Sequence, residues 1–357
     1  MTSLSCIYNS ENWIKDIDEV SSLLPELSEL GGKSVLITGA AGLICSAVVD
    51  ILIRYNETHS QCIDIYAAGR SEEKMRARFG EYSDKDYFRF VSYDANADEL
   101  GFDYDFDFII HGASNAFPEK IKDEPVETML SNFIGTYRLL DYAKKHKTKR
   151  FLYVSSSEVY GLNETDEPIE DGAYGYIDIL NPRSSYSCGK RSAETLCASF
   201  YSEYGIESVI VRPGHIYGPT ASPADNRVSS AFIYKALRRE DIVLKSDGSQ
   251  IRSYCYCPDC ASAIIKVLLK GENLKAYNIS NSSSIISIKE LSGLIASISG
   301  VKLLTELPDS EEKKAFNPMK NSSLNSAGLE GLGWKGLFDA ERGLRHTYNI
   351  LKETFID

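Results

Sequence analysis

The amino-acid sequence predicts an α/β fold in which a doubly wound parallel sheet carries a smaller α/β cap built from C-terminal segments. Short strand-like runs alternate with helical patterns over the first 212 residues, and such alternation is typical of a parallel sheet covered by helices on both faces. Beyond Pro213 the alternation weakens, and the pairs Gly218-Pro219 and Ser222-Pro223 indicate loops. The chain of 357 residues is long enough for one large core or two unequal ones.

The predicted elements of the sheet follow one another closely along the chain. Strands are predicted at residues 34–38, 63–67, 88–92, 106–111, 150–155 and 208–212, and helices at residues 47–55, 128–145 and 186–204. The first strand is an unbroken apolar run between Ser34 and Thr38, as expected for a strand that is buried on both faces.

Three regions are predicted from this pattern. Residues 1–31 form an N-terminal extension, with a helix over residues 17–30 that two glycines end. Residues 32–212 form the domain of the parallel sheet, to which part of residues 250–275 returns. Residues 213–357 mainly form the cap, which we expect to bind the substrate.

Composition and charge exclude several classes of protein. The formal net charge is −12 and the isoelectric point is near 5.1, so we expect neither nucleic acid nor a membrane surface as a partner. No run reaches the roughly 18 apolar residues of a membrane span, which predicts a cytoplasmic protein. The eight cysteines are scattered, which favours reduced thiols. Cys255, Cys257 and Cys260 are one ligand short of a closed zinc site, so we expect no metal.

A glycine-rich turn joins the first predicted strand to the next helix. Gly39 and Gly42 occupy the first two glycine positions of a turn whose backbone amides approach a pyrophosphate, while the helix N-terminus adds a partial positive charge. We expect Leu43 and Ile44 to contact the same ligand. Cys45 takes the place of the third glycine and should crowd the helix against its strand. The turn is typical of a Rossmann-type dinucleotide-binding site, and a plain tight turn is the alternative; together with Tyr186 and Lys190 it predicts redox chemistry on a bound dinucleotide.

Residues after the next three strands bear on the choice of cofactor. Gly69 and Arg70 follow the second strand, where NAD-binding proteins usually present a carboxylate and where an arginine can accommodate the phosphate of NADP. These two residues lean toward NADP or at least leave the choice open, so the predicted cofactor is NAD with NADP possible because of Gly69-Arg70. Asp94 follows the third strand and can accept a hydrogen bond from the adenine amino group; an aspartate that caps the following loop is the alternative. Ala113 and Ser114, after the fourth strand, are small enough to allow contacts with the cofactor.

Two pairs of residues predict catalytic chemistry. Tyr186 and Lys190 lie four positions apart in a helical segment, so the ammonium of Lys190 can lie beside the phenol and favour its ionised form. An ionised phenol is a base for a substrate hydroxyl. Ser156 and Glu158 follow the fifth strand, at the edge where open α/β sheets bind ligands. A serine there can polarise the reacting oxygen, and a glutamate can act as a base or orient a polar group; a polar turn that caps a helix is the alternative.

In this combination the chain resembles the extended short-chain dehydrogenase/reductase superfamily, in particular its nucleotide-sugar-modifying members. The resemblance runs from about residue 33 to residue 352. It is also carried by Asn132 within residues 131–136 and by residues 211–219, 277–280 and 332–334. It implies a catalytic triad of Ser156, Tyr186 and Lys190, with Asn132 supporting proton transfer. Lys190 and Tyr186 would also contact the cofactor, and a homodimer would form through the predicted helices 128–145 and 186–204.

Within the superfamily the chain particularly resembles UDP-glucuronate decarboxylases. The similarity lies in Ser157-Glu158, where 4,6-dehydratases have Asp-Glu, and in residues 181–186, 225–229 and 248–254. It implies a UDP-sugar substrate that is oxidised transiently at C4 and loses its C5 carboxylate as carbon dioxide. The implied substrate-binding residues are Ser157, Arg183, His215, Arg227 and Arg252. His215 departs from the decarboxylase pattern, which has asparagine at this place.

Other functions are consistent with the same residues. A nucleotide-sugar 4-epimerase needs only removal and return of a hydride, for which Ser156, Tyr186 and Lys190 suffice. An NADP-dependent 4-ketoreductase is favoured by Arg70. A 4,6-dehydratase is disfavoured by the missing aspartate. A non-catalytic dinucleotide-binding protein is disfavoured because the chain retains both Tyr186 and Lys190.

Overall fold

A seven-stranded parallel sheet forms the centre of the protein, whose computed structural model describes residues 7–163, 166–306 and 319–354. The strands of the described residues are β1 Ser34–Thr38, β2 Asp64–Gly69, β3 Phe88–Ser92, β4 Phe108–His111, β5 Arg150–Val154, β6 Ser208–Pro213, β7 His215–Tyr217, β8 Ile242–Leu244, β9 Ile251–Tyr256, β10 Ala276–Ile279, β11 Ile285–Ser287 and β12 Leu303–Thr305. The central sheet has the order β10-β6-β5-β4-β1-β2-β3. The predicted α/β fold with a doubly wound parallel sheet is confirmed.

Helices cover both faces of this sheet. The α-helices of the described residues are α1 Glu11–Ser22, α2 Cys45–Thr58, α3 Glu72–Phe79, α4 Pro118–Asp123, α5 Pro125–Lys145, α6 Ser185–Tyr204, α7 Val228–Leu237, α8 Cys257–Lys270, α9 Ile288–Ser299, α10 Ala327–Glu330 and α11 Ala340–Thr354. On one face α2 packs against α8, and on the other α5 packs against α6. The apolar run of β1 is buried between these layers, which is why it shows no alternation of polar and apolar residues.

The chain returns to the central sheet after the cap has begun. Helix α8 packs against β6 of the central sheet. Strand β10 then pairs in parallel with β6, with Tyr277 opposite Val211. The sequence did not predict β10 as a strand, because its four residues are short of a clear apolar run and include Asn278. Asn278 is nevertheless fully buried, since its side chain accepts from Tyr160 and donates to backbone carbonyls.

The N-terminal extension is part of the folded core. The helix predicted at residues 17–30 is wrong in its bounds: α1 covers Glu11–Ser22, and Pro25 begins a separate 3-10 helix, Pro25–Leu30. Ser10 caps α1 by accepting from the amide of Trp13. The Trp13 indole is buried and donates to Asp50 of α2 at 3.0 Å. Residues 1–6 of the extension lie outside the described residues.

The cap consists of small sheets and helices from the second half of the chain. Strands β7, β9 and β11 form one sheet, in which His215 pairs with Tyr254 and Arg252 with Ile286. Strands β8 and β12 form a second, two-stranded sheet. Within the described ranges, none of the helices has both the length and the apolarity needed to cross a bilayer.

Candidate active site

The predicted catalytic side chains converge where β5 ends. Ser156 follows β5, and Tyr186 and Lys190 lie in the first two turns of α6. The hydroxyl of Ser156 forms a hydrogen bond with Tyr186. The ammonium of Lys190 donates to the carbonyl of Val154 at 2.7 Å and lies 5.7 Å from the centre of the Tyr186 ring. The structure therefore brings together the three residues that the sequence predicted to act as a unit.

The phenol of Tyr186 is held in its protonated form. Burial raises the pKa of Tyr186 to about 12, the negative charge of Glu158 adds to the rise, and the Ser156 hydrogen bond, Arg227 and Arg183 oppose it. This direction corrects the sequence-based expectation that Lys190 would favour the ionised phenol. The physical reason is that the phenolate loses more free energy of hydration on burial than it gains from the nearby cations.

Burial also changes the pKa of Lys190. Its ammonium is buried above the ring of Tyr153, 4.7 Å from the ring centre. Burial lowers the pKa of Lys190 to about 7, and the negative charge of Glu194 opposes that fall. The amine is therefore poised to change its charge near neutral pH.

Glu158 is held by a bidentate ion pair. The guanidinium of Arg183 donates to both carboxylate oxygens, at 2.8 and 3.0 Å, and the hydroxyl of Ser187 donates to one of them at 3.2 Å. Ser157 and Glu158 lie in the 3-10 helix Ser157–Tyr160, which Ser156 caps by accepting from the Glu158 amide. Arg183 is thus brought to the catalytic residues by its contact with Glu158.

Asn132 lies on α5 beneath these residues and is fully buried. Its side-chain oxygen accepts from Ser114 at 3.0 Å and from Tyr153 at 3.3 Å, and its amide donates to the carbonyl of Thr128 at 2.7 Å. A side chain at Gly189 of α6 would come within 3.1 Å of Asn132, so α5 and α6 approach closely here. Asn132 therefore lies against Gly189 of α6 and is hydrogen-bonded to Ser114 of the predicted cofactor groove.

The glycine turn after β1 forms one end of that groove. Gly39 has a φ of +70°, and a Cβ there would lie 3.0 Å from the backbone of Gly112 and Ala113. A Cβ at Gly42 would lie 3.0 Å from the carbonyl of Gly39. Helix α2 begins directly after Leu43 and Ile44 with no side-chain hydrogen bond capping it, so its N-terminus can receive an anion. The turn fits a dinucleotide pyrophosphate.

Cys45 takes the place of the third glycine, and its sulfur lies against Gly112. A Cβ at Gly112, after β4, would lie only 2.3 Å from the Cys45 sulfur. The sulfur thus occupies space that Gly112 leaves free. The crowding expected between α2 and its sheet is absorbed by this second glycine.

The other end of the groove lacks a carboxylate at the end of β2. Gly69 and the exposed Arg70 line the groove together with Asp94, Ala113 and Ser114. The Asp94 carboxylate accepts from the amide of Asn96 at 3.0 Å, which turns the chain after β3. Arg70 makes no ion pair with the described residues, so its guanidinium is free to meet a ligand.

The predicted substrate residues of the cap lie in a positively charged neighbourhood. Burial lowers the pKa of His215 to about 3, and the charges of Arg252 and Arg227 add to the fall. Arg227 also lowers the pKa of Tyr186. The Nδ1 atom of His215 is buried and has no hydrogen-bond partner within the described ranges. Arg227 pairs with Asp225, whereas Arg252 donates only to backbone carbonyls of the described chain, although it is 4% exposed. This arrangement suits an anionic ligand.

Sequence reasoning missed a buried ion pair behind the catalytic helix. Arg212 of β6 donates to both oxygens of Glu194 on α6, at 2.9 and 2.7 Å. Glu194 also accepts from Ser155 at 2.6 Å. The signal was present in the sequence, because Glu194 follows Lys190 by the same four residues that separate Lys190 from Tyr186.

No metal site was predicted, and the described part of the chain shows no cluster of three or more His, Cys, Asp or Glu side chains arranged to hold one. Cys255, Cys257 and Cys260 are buried free thiols in β9 and α8.

Sequence comparison identifies the family. Residues 35–280 match the sequence profile of the NAD dependent epimerase/dehydratase family. The chain belongs to this family. It is 32% identical to UDP-glucuronic acid decarboxylase 3 of Arabidopsis thaliana over 313 residues, covering 87% of this chain and 86% of that protein. It is 30% identical to UDP-glucuronic acid decarboxylase 1 of Danio rerio over 324 residues, covering 90% and 73% of the two chains.

Solved structures of the family have the same fold. An epimerase of Methanothermobacter thermautotrophicus is 21% identical and superposes with a TM-score of 0.79, covering 93% of this chain and 95% of that one. The UDP-glucuronic acid 4-epimerase of Bacillus cereus, in complex with UDP-glucuronic acid and NAD, is 22% identical with a TM-score of 0.74, covering 90% and 99%. The family assignment makes this protein an enzyme of the NAD-dependent epimerase/dehydratase type.

Proposed function

We propose that the protein is a UDP-glucuronate decarboxylase. The observation that carries the proposal is the convergence of Ser156, Tyr186 and Lys190 beside a Glu158-Arg183 ion pair, in a chain about 30% identical to decarboxylases over most of its length. The 4,6-dehydratase alternative is disfavoured because Ser157 stands where those enzymes carry an aspartic acid.

NAD would be held by the turn at Gly39 and Gly42, by Ala113 and Ser114 along the groove, and by Lys190. When bound, it would accept a hydride from C4 of the sugar and return it after carbon dioxide has left, so that the overall reaction is not a net oxidation. The protein's part is to manage protons and charge around that carbon.

In its ionised form Tyr186 would take the proton of the 4-hydroxyl, while Ser156 donates a hydrogen bond to the same oxygen. Because burial raises the pKa of Tyr186, turnover should increase with pH. A ketone at C4 lies β to the C5 carboxylate, so cleavage of the bond to the carboxyl carbon leaves its electron pair delocalised as an enolate. A proton from the solvent then adds to C5, and the proton on Tyr186 returns to the C4 oxygen. Ser156 stays in hydrogen-bond contact with that oxygen throughout.

The cations of the cap would bind the nucleotide sugar. Arg252 is nearly buried yet has no carboxylate partner within the described residues, and a diphosphate or a sugar carboxylate would satisfy it. Burial keeps His215 neutral, and the charges of Arg252 and Arg227 add to this effect. The ring can therefore donate or accept a hydrogen bond without becoming charged. These contacts favour an anionic UDP-sugar as the substrate.

We also propose that the protein acts as a homodimer. The outer face of α5 exposes apolar side chains at helical spacing: Val126, Met129, Leu130, Phe133 and Tyr137. Such a stripe is normally covered, and α6, its neighbour, exposes Tyr201 and Tyr204. A second copy would cover both helices.

Sedimentation at micromolar concentration should give twice the chain mass, and Leu130→Glu should give the monomer.

Incubation with a panel of UDP-, dTDP- and CDP-sugars, followed by mass spectrometry, tests the reaction. Loss of carbon dioxide from UDP-glucuronate supports the proposal. Loss of water would indicate a dehydratase, and a product of unchanged mass but altered chromatographic mobility would indicate the 4-epimerase. The expectation that the protein is cytoplasmic stays a prediction.

A further inference from the structure

Glu194 contacts the end of the strand that carries Ser156. Two side chains of α6 form hydrogen bonds with consecutive residues there. Lys190 donates to the carbonyl of Val154 at 2.7 Å, and the carboxylate of Glu194 accepts from the hydroxyl of Ser155 at 2.6 Å. Ser156 is the next residue. Because Lys190 and Glu194 lie four residues apart, one face of α6 fixes this strand end at two successive points.

The carboxylate of Glu194 is itself fixed from the neighbouring strand. Arg212 of β6 donates to both of its oxygens, and a third nitrogen of the same guanidinium donates to Tyr160 at 3.0 Å and to the carbonyl of Asp171 at 2.7 Å. The two side chains of the pair are 2% and 11% exposed. Such a buried pair holds its geometry, since either charge alone would be strongly unfavourable.

The pair also has an electrostatic consequence for Lys190. Burial favours the neutral amine, and the carboxylate of Glu194 is the foremost charge acting in the opposite direction. The thiol of Cys45, the second group in that direction, stays neutral because burial raises its pKa to about 12. Glu194 thus supplies the negative charge, while Arg212 keeps it in place.

We infer that Glu194 is a positioning residue: it aligns the strand end that carries Ser156 through Ser155, and its charge maintains the ammonium form of Lys190. This inference rests on the proposed roles of Ser156 and Lys190. Its two parts can be separated, because Ser155→Ala removes only the hydrogen bond and Glu194→Gln removes the charge while keeping the shape.

The charge is tested without any substrate. Protein labelled with ¹³C at the lysine ε-carbon is titrated and followed by NMR, and the Lys190 signal is assigned by its loss in Lys190→Met. Glu194→Gln should lower the titration midpoint of Lys190 by about one pH unit or more, as expected when a nearby opposite charge is lost. Glu194→Asp should lower it by less. Glu203→Gln, an exposed change on the same helix, should leave it unchanged.

A Lys190 midpoint in Glu194→Gln equal to that of the unchanged protein overturns the inference about the charge. A failure of the decarboxylase assay leaves this titration intact, so the two proposals fail separately. Once a substrate is in hand, Ser155→Ala should lower kcat several-fold with little change in KM and no change in the Lys190 midpoint. An unchanged kcat for Ser155→Ala would refute the alignment.

Discussion

The guanidinium of Arg183 pairs with both oxygens of the Glu158 carboxylate, and both groups act on the phenol of Tyr186. Their effects on its pKa are opposite, since the carboxylate raises it and the guanidinium lowers it. The pKa of Tyr186 therefore depends on where the Arg183 and Glu158 side chains lie relative to the phenol. A bound sugar that drew Arg183 away from Glu158, or toward it, would change how readily Tyr186 ionises.

Substitution of Glu158 and substitution of Arg183 should shift the pH dependence of turnover in opposite directions. Activity should rise with pH as Tyr186 ionises, because the phenolate is the base. Glu158→Gln lowers the pKa of Tyr186, so the rise in kcat should move to lower pH, although the maximum can fall if Glu158 also orients the sugar. Arg183→Gln raises that pKa and should move the rise to higher pH. Shifts in the same direction for both variants would contradict this account.

Removal of the phenol hydroxyl should abolish chemistry while leaving the fold intact. Tyr186→Phe is expected to lower kcat by about 100-fold or more, which is the usual contribution of a positioned acid or base. Binding of NAD and UDP, measured by calorimetry, should change little. Tyr176→Phe is the matched control, because that phenol is 69% exposed, and it should retain full turnover. Undiminished turnover by Tyr186→Phe would remove the catalytic assignment.

Much of the fold was predictable from the sequence because the central strands are buried on both faces. Strand β1 is an apolar run bounded by turns, and its observed bounds equal the predicted ones. The bounds of β3, at the edge of the sheet, also equal the predicted ones, although this strand contains both buried and exposed residues. Strand β10 was missed since its polar Asn278 is buried by hydrogen bonds to residues distant in sequence. The bounds of α1 were wrong because Pro25 was assigned to a continuous helix, although it starts a new one.

The candidate site was predictable where its residues share a helix or follow a strand. The spacing of Tyr186 and Lys190 required only the helical period. The pairing of Glu158 with Arg183 required tertiary structure, because the segment between them has no regular pattern. The raised pKa of Tyr186 depends on burial, which no local spacing reveals. The network of Glu194 and Arg212 depends on the adjacency of β5 and β6.

The fit between Cys45 and Gly112 can be tested through stability. Gly112→Ala should lower the free energy of unfolding by about 1 to 3 kcal/mol, the usual cost of overpacking, because the new methyl group would meet the Cys45 sulfur. Adding Cys45→Ala should recover part of that loss by removing the sulfur. Urea denaturation of both single variants and the double variant measures the coupling. Additive losses would mean that the two residues do not share this space.

The cofactor preference can be tested at the end of β2. A free guanidinium at Arg70 suits the additional phosphate of NADP, so Arg70→Ala should weaken NADP binding by about tenfold or more and leave NAD binding nearly unchanged. Gly69→Asp should shift the ratio of the two dissociation constants further toward NAD by adding a carboxylate. Arg76→Ala, on the exposed face of α3 where Arg76 pairs with Glu72, is the control. An unchanged ratio for Arg70→Ala would show that Arg70 does not meet the cofactor.

We expect Arg252 to strengthen substrate binding but not to stabilise the ligand-free protein. Burial lowers the pKa of this guanidinium, and it has no carboxylate partner within the described ranges, so its charge is costly until an anion binds. Arg252→Met should weaken binding of UDP by about tenfold or more, since a charge-assisted hydrogen bond is lost. The thermal midpoint without ligand should not fall, because removal of the buried charge offsets the lost bonds to backbone carbonyls.

Calorimetry with UDP and thermal unfolding with and without it measure both effects. Arg345→Met, at an exposed position of α11, should alter neither UDP affinity nor its stabilising effect. In the unchanged protein, UDP should raise the midpoint, and in Arg252→Met this rise should be largely lost. If Arg252→Met kept its affinity for UDP but unfolded at a lower temperature, Arg252 would be a structural residue of the cap, and the anion site would have to lie nearer Arg227.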